Sequence, residues 1–157
     1  MTDVIAPSRP AERRQVAALC WRRGQGGVLE ILLITSRDTG RWVTPKGGRM
    51  PGLSDAQAAA QEALEEAGVE GEVGESPLGE FRYLKRLKRR GPRPTRVTVF
   101  ALQVQRQHPG WKEAAQRTRR WFRADRASVM VDETDLGALI RAFASDETRL
   151  GAADDHG

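Results

Sequence analysis

Pro45-Lys46-Gly47-Gly48-Arg49-Met50-Pro51-Gly52-Leu53-Ser54-Asp55-Ala56-Gln57-Ala58-Ala59-Ala60-Gln61-Glu62-Ala63-Leu64-Glu65-Glu66-Ala67-Gly68-Val69 reads as a glycine-rich loop that opens a helix. Ser54 is a good N-cap, and Gln57 three residues on completes a capping box. Gly68 is a stop signal just past the last periodic position. The alanines and Leu64 between them favour helix.

The acids on this helix carry chemical information. Glu62, Glu65 and Glu66 stand at i, i+3 and i+4, so they share one face. No Lys or Arg falls between Ser54 and Val69, although the chain as a whole is basic. Like charges at this spacing repel by roughly a few tenths of a kcal/mol per pair. They also sit at the negative end of the helix dipole, where anions are disfavoured. Unmet negative charge in that place predicts a cation, and hard divalent ions such as Mg²⁺ take carboxylate oxygens together with water and substrate phosphate. The competing reading is a solvent-facing acidic stripe.

The stretch Gly47 to Val69 resembles the Nudix box, G-x5-E-x7-R-E-U-x-E-E-x-G-U, where U is a bulky apolar residue. Gly47, Glu62, Glu65, Glu66, Gly68 and Val69 fall in register. Leu53 replaces the first Glu, Gln61 the Arg, and Ala63 the bulky apolar residue. The resemblance implies a Nudix-type α/β/α sandwich with a mixed β-sheet between helices. It also implies hydrolysis of a phosphoanhydride dependent on Mg²⁺ or Mn²⁺. By similarity to the box, Glu62 and Glu66 would be metal ligands, with a backbone carbonyl of Lys46 or Gly47 beside them. Glu65 would be the general base, a role that some members of the family give to a carboxylate outside the box.

At 157 residues, one domain with a sizeable core is expected. An apolar content of 39% with 30% charged residues suits a globular protein. The net charge of +5 points to acidic partners: a polyphosphate, nucleic acid or anionic lipid. A single cysteine, Cys20, excludes an internal disulfide and reads as a buried small hydrophobe. No apolar run approaches the roughly 20 residues of a membrane span, and the N-terminus has no signal-peptide apolar core. A cytoplasmic protein without membrane contact is expected.

Along the chain, residues 1–12 read as a loose tail, 13–146 as the domain, and 147–157 as a second tail. Arg14 to Trp21 and Gly27 to Ser36 read as strands, joined into a hairpin by the turn Gly24-Gln25-Gly26-Gly27. The dense run Val28 to Ile34 predicts a central strand buried on both faces. Arg41 to Thr44 is a short strand, and Gly71 to Leu78 a loop or short edge strand. Leu78 to Arg86 and Arg96 to Gln105 are long strands, Thr118 to Arg123 is a short one, and Asp132 to Phe143 is an amphipathic helix. The connection from Lys85 to Arg96, rich in cations and prolines, reads as an exposed mobile loop.

Eight Lys or Arg residues fall between Arg82 and Arg96. Arginine forks match phosphate oxygens, so the cluster predicts polyanion binding; the competing reading is a solvated face. Beyond the box, Val16 to Arg22, Leu33 to Lys46, Glu66 to Gly71 and Trp121 to Arg123 resemble the diphosphoinositol polyphosphate phosphohydrolases. That branch cleaves diphosphoinositol polyphosphates and diadenosine polyphosphates. The resemblance implies a phosphate-binding surface of Arg13, Arg14, Thr35, Ser36, Arg37 and Arg123, with Arg86 contributing from the basic connection. Two alternatives remain open. One is a non-catalytic module on this fold that binds RNA or another polyanion. The other is an enzyme acting on nucleoside triphosphates or capped RNA.

Overall fold

The computed structural model describes residues 12–87, 89 and 91–154, with side chains described up to residue 146. The expected tails over residues 1–11 and 155–157, and Lys88 and Arg90, lie outside the described residues.

Strands β1 (Arg13–Arg23) and β2 (Leu29–Thr35) pair antiparallel, as the turn signal predicts. The turn between them places Gly26 and Gly27 at φ 72° and 79°, a region that favours glycine. The short strands β3 (Trp42–Val43) and β4 (Lys46–Gly48) lead into helix α1 (Asp55–Ala67). Then follow β5 (Val69–Val73), β6 (Gly79–Leu87), β7 (Gly91–Gln107) and β8 (Arg119–Arg123). Helices α2 (Ala124–Met130) and α3 (Thr134–Asp154) close the chain.

All eight strands form one mixed sheet. The path runs β3-β2-β1-β7-β5, with β4 on β1, β6 on β7 and β8 on β2. The β1–β7 pair is parallel, and the other pairs are antiparallel. Side chains alternate between sheet faces, and each face carries its own core. On one face Val16, Ala18, Cys20, Leu32, Ile34, Phe100 and Leu102 pack against the alanines of α1. On the other, Ala17, Leu19, Ile31, Leu33, Phe81, Val97 and Val99 pack against α2 and α3 through Ala127, Leu136, Ile140 and Phe143. This is the expected α/β/α sandwich, with β2 buried on both faces. Cys20 is fully buried, and burial pushes its thiol up to about 12, as befits a core residue.

Three expectations need correction. The connection from Lys85 to Arg96 is not a loop. β6 and β7 remain paired through Lys85↔Arg93 and Arg86↔Pro92 to Leu87↔Gly91, so Lys85, Arg86, Arg93 and Arg96 ride on a two-stranded ribbon. Charge density and prolines suggested a loop, but the alternation of Tyr83, Lys85 and Leu87 with Arg82, Leu84 and Arg86 is strand-like. Helix α2 had no separate signal, because about two turns of mixed small, polar and apolar residues are too short to show a clear period. Helix α3 runs past Phe143 to Asp154, so its backbone covers residues 147–154 assigned above to the tail.

Candidate active site

Helix α1 begins as its sequence dictates. Ser54 Oγ accepts from the Gln57 N–H at 3.1 Å, and Gln57 Oε1 accepts from the Ser54 N–H at 2.9 Å. Its end is fixed by Gly68 at φ 68°, whose N–H turns back to the last carbonyls. These two stops set the rotation of the helix, and hence where its acids point.

Glu62 and Glu66 face the β4 backbone. The Lys46 N–H donates to Glu66 Oε1 at 3.2 Å. The Glu62 carboxylate lies so close over Gly47 that a Cβ there would overlap it. Glycine is required at that position for room rather than for backbone freedom, because its φ is not positive. Glu62 has no hydrogen-bond or ion-pair partner among the described residues. Burial, then the charges of Glu66, Glu65 and Glu113, push its carboxyl up to about 7. Glu66 is buried, and its carboxyl is also raised, by burial first, against the opposing pull of Arg117 and the Lys46 N–H.

Glu65 points elsewhere. Its carboxylate accepts from Gln61 Nε2 at 2.8 Å and from Lys112 Nζ at 3.2 Å, and these bonds hold it below the usual carboxyl range. The helix therefore has no cations of its own but is supplied from outside. The segment between β7 and β8 brings Lys112 to Glu65 and Arg117 to Glu66, the latter at 3.6 Å. The expectation of three acids without nearby positive charge fails for Glu65 and Glu66, which have ion pairs, and is weakened for Glu62, which has no ion pair but feels the charge of Lys112. Among the described residues, no three His, Cys, Asp or Glu side chains converge as a ready metal cluster.

The expected phosphate-binding residues separate into groups. Arg13 acts electrostatically on Tyr83 and Lys85, and Arg37, Asp38 and Glu66 also act on Lys85. Arg13, Arg37 and Lys85 thus lie around the approach to Glu66. Arg14 does not join them. Arg13 has the sheet parity of Ala17 and Leu19, whereas Arg14 has that of Val16 and Ala18, the face that α1 covers, in register with Arg96 and through it with Arg82. Arg86 shares the parity of Arg82 on the ribbon. Arg123 lies at the far end of β8, opposite Glu30. Thr35 and Ser36 are used locally: Thr35 Oγ1 accepts from the Thr118 N–H at 2.8 Å, and Ser36 Oγ from the Asp38 N–H at 3.3 Å.

Sequence reasoning missed four groups here. The half-buried Lys46 side chain reaches the Tyr83 ring at 5.1 Å, and its partial burial lowers its pKa. Tyr83 donates to Gln15 Oε1 at 2.7 Å. Lys85, not Arg86, is the ribbon cation shown to lie in the field of Glu66. Arg117 and Glu113 come from a segment with no motif at all. Strand parity is the signal that separates Lys85 from Arg86; only three-dimensional contact finds Arg117. The Trp111 indole donates to the Glu66 carbonyl at 2.9 Å, with the Arg119 guanidinium over its ring.

This arrangement of glycine backbone, helix-borne acids and surrounding cations lies within residues 12–143, which match the family model described as NUDIX domain. The chain belongs to the NUDIX family. It is 32% identical over 127 residues to Nudix hydrolase 21, chloroplastic, of Arabidopsis thaliana, covering 78% of this chain and 61% of that protein. It is 32% identical over 118 residues to diphosphoinositol polyphosphate phosphohydrolase 3-beta of Bos taurus, covering 73% and 66%. The chain thus spans somewhat under two thirds of these relatives' lengths. Among solved structures, a C. elegans Ap4A hydrolase binary complex superposes with a TM-score of 0.64 at 22% identity, over 87% of this chain and 98% of that one. The NUDIX domain of Shewanella oneidensis NrtR with ADP ribose gives 0.62 at 17% identity, over 85% and 89%. Both likenesses establish the Nudix fold. No helix among the described residues is long and apolar enough to cross a membrane.

Proposed function

We propose that this Nudix domain hydrolyses a phosphoanhydride bond in a divalent-metal-dependent reaction. The substrate class is a diphosphoinositol polyphosphate or a nucleoside-diphosphate-linked compound, diadenosine polyphosphates included. One observation carries the reading: Glu62 and Glu66 converge on the Lys46–Gly47 backbone, and Glu62 is held there half-buried with no hydrogen-bond or ion-pair partner among the described residues and only the field of Lys112 opposing the surrounding acids. A carboxylate in that position is costly unless a cation joins it.

The residues fit a hard divalent ion. The donors are all oxygen, and the missing Cβ of Gly47 leaves Glu62 room over the backbone. Glu62 and Glu66 would hold the ion, with a backbone carbonyl of Lys46 or Gly47. When bound, such an ion supplies charge stabilisation at phosphate oxygens and acidifies water. Arg13, Arg37 and Lys85 would bind the substrate's phosphates from the ribbon side, as bidentate forks and a point charge. Glu65 is the candidate base. In the arrangement seen here Lys112 and Gln61 lower its basicity, so it acts on water only after parting from Lys112. The resemblance to diphosphoinositol polyphosphate phosphohydrolases supports the substrate class.

The test is phosphate release from diphosphoinositol phosphates, diadenosine polyphosphates, nucleoside sugars and triphosphates, each with and without Mg²⁺ or Mn²⁺. Metal-dependent release from the first two groups is expected. Tight, steeply salt-dependent binding of polyanions without any turnover would instead identify a binding module.

A further inference from the structure

The Arg117 guanidinium is almost fully withdrawn from water, with 8% of its side chain exposed. Each of its three nitrogens faces a different part of the fold. Nε lies 2.8 Å from Glu113 Oε1, in its own segment. Nη1 donates to the Thr35 carbonyl at 3.0 Å, at the end of β2. Nη2 lies 3.6 Å from Glu66 Oε2, on α1. The neighbouring Thr118 N–H is tied to Thr35 Oγ1, and the Thr35 N–H to the Thr118 carbonyl at 2.9 Å. A planar fork anchored on three sides has one orientation.

The consequence falls on Glu66. Its Oε1 accepts from the Lys46 N–H and its Oε2 faces the Arg117 guanidinium at ion-pair distance, 3.6 Å, so the carboxylate is drawn from both ends. A carboxylate offers about four lone-pair sites, and these two contacts leave others for a ligand. Within the helix, the amide of Gln61 donates to Glu65, not to Glu66.

We propose that Arg117 is the positioning residue that orients Glu66 for its ligand, acting from outside the acidic helix, with Glu113 and the Thr35 carbonyl as its anchors. The proposal rests on the assignment of Glu66 as a divalent-cation ligand. Groups that orient a ligating carboxylate typically change metal affinity by about 10- to 100-fold when lost.

The experiment is titration of the full chain with Mn²⁺ in the absence of substrate, followed by electron paramagnetic resonance of the free ion. Thermal melting is recorded alongside. The expected order of affinity is wild type, then Arg117→Lys, then Arg117→Gln, the last weaker by about tenfold or more. Glu113→Gln, which removes one anchor, should fall between wild type and Arg117→Gln. Circular dichroism at the titration temperature establishes that each variant is folded. Should Arg117→Gln not fold, Arg117→Lys and Glu113→Gln decide on the same scale.

Unchanged or tighter Mn²⁺ binding in Arg117→Gln overturns the positioning role. A raised KM with unchanged Mn²⁺ affinity also overturns it, because that is the signature of a direct substrate contact. A lowered melting temperature alone, with affinity intact, reduces Arg117 to a structural pair. Glu66→Gln separates the two assignments: if it leaves Mn²⁺ binding intact, or if wild type binds none, the metal site itself fails. If Glu66→Gln abolishes binding and Arg117→Gln does not alter it, only the role of Arg117 fails.

Discussion

Two regions of this protein concentrate charge of a single sign, and they treat it in opposite ways. The acids of α1 are pressed against a glycine backbone, with Glu66 buried and Glu62 half-buried. Among the described cations of the β6–β7 ribbon, Arg82 and Arg86 are exposed and Lys85, Arg93 and Arg96 are partly exposed, and two of them are matched by nearby acids. Arg82 pairs with Glu12 at 3.0 Å, and Arg96 lies within 3.6 Å of both Glu12 and Glu80. Exposed pairs of that kind contribute about 0–1 kcal/mol and are screened by salt. Buried like charges are far more costly, so their retention says more about function. The comparison teaches that charge density in a sequence is informative only after burial is known.

The largest effect should come from Glu66. Replacing it with Gln keeps the size and the Lys46 hydrogen bond but removes the charge. Turnover with Mg²⁺ should fall by roughly 10²-fold or more while the far-ultraviolet spectrum is unchanged, since loss of an ion is worth several kcal/mol in the transition state. Wild-type turnover in that variant would erase the distinction drawn between buried and exposed charge.

Gly47→Ala should come next. The new methyl would collide with the Glu62 carboxylate, the far end of a flexible side chain, so the acid swings away and the fold tolerates the change. Melting should shift by no more than the cost of modest overpacking, about 1 kcal/mol, while Mg²⁺-dependent turnover drops well below wild type. A large loss of stability with turnover per folded molecule intact would show that the glycine serves packing alone.

Glu62 gives a pH signature. An ordinary carboxyl near 4.5 has lost its proton in the unfolded chain, whereas in the folded chain Glu62 keeps it until about pH 7. The folded state therefore binds more protons across that window, and stability should fall as pH rises from about 4.5 to 7. Glu65, shifted downward, contributes in the opposite sense and only as pH falls below the usual carboxyl range, so the two do not overlap. Glu62→Gln should flatten the slope of melting temperature against pH, and saturating Mg²⁺ should flatten it in wild type. Identical slopes in wild type and Glu62→Gln would remove Glu62 from the account.

Much of this was legible in the chain itself. The capping box and Gly68 specify α1 to the residue, and the dense run through Ile34 specifies a strand buried on both sides. The box fixes which acids share a helix face, but not where each carboxylate ends. Glu65 parts from Glu62 and Glu66 because the residues these acids meet, Lys112 for Glu65, Gly47 for Glu62 and Arg117 for Glu66, come from segments 15 to 51 positions away. Such pairings follow from the sheet order, to which no local pattern gives access. The ribbon was misread for a different reason. Prolines and cations weigh against a strand on average, yet Pro92 and Pro94 occupy alternate positions of β7, where one edge lacks N–H groups at both and the pairing to β6 survives.

The ribbon also offers the finest test of the comparison, because adjacent cations on it point to opposite faces. Lys85 shares a face with Tyr83 and lies in the field of Arg13, Arg37 and Glu66, and burial lowers its pKa. Arg86 is exposed on the other face, beside Leu84 and Pro94. If phosphate recognition depends on placement, Lys85→Ala should raise KM for a polyphosphorylated substrate by about threefold to tenfold, the range of one charge-assisted contact in a partly wet site. Arg86→Ala should raise it by less than about twofold. Repeating both at higher salt sharpens the contrast, since a diffuse field is screened over about 10 Å while a direct contact is not. Equal effects from the two variants, both vanishing in salt, would mean that the ribbon attracts substrate only as a patch of charge, with no preference for the face that carries Lys85.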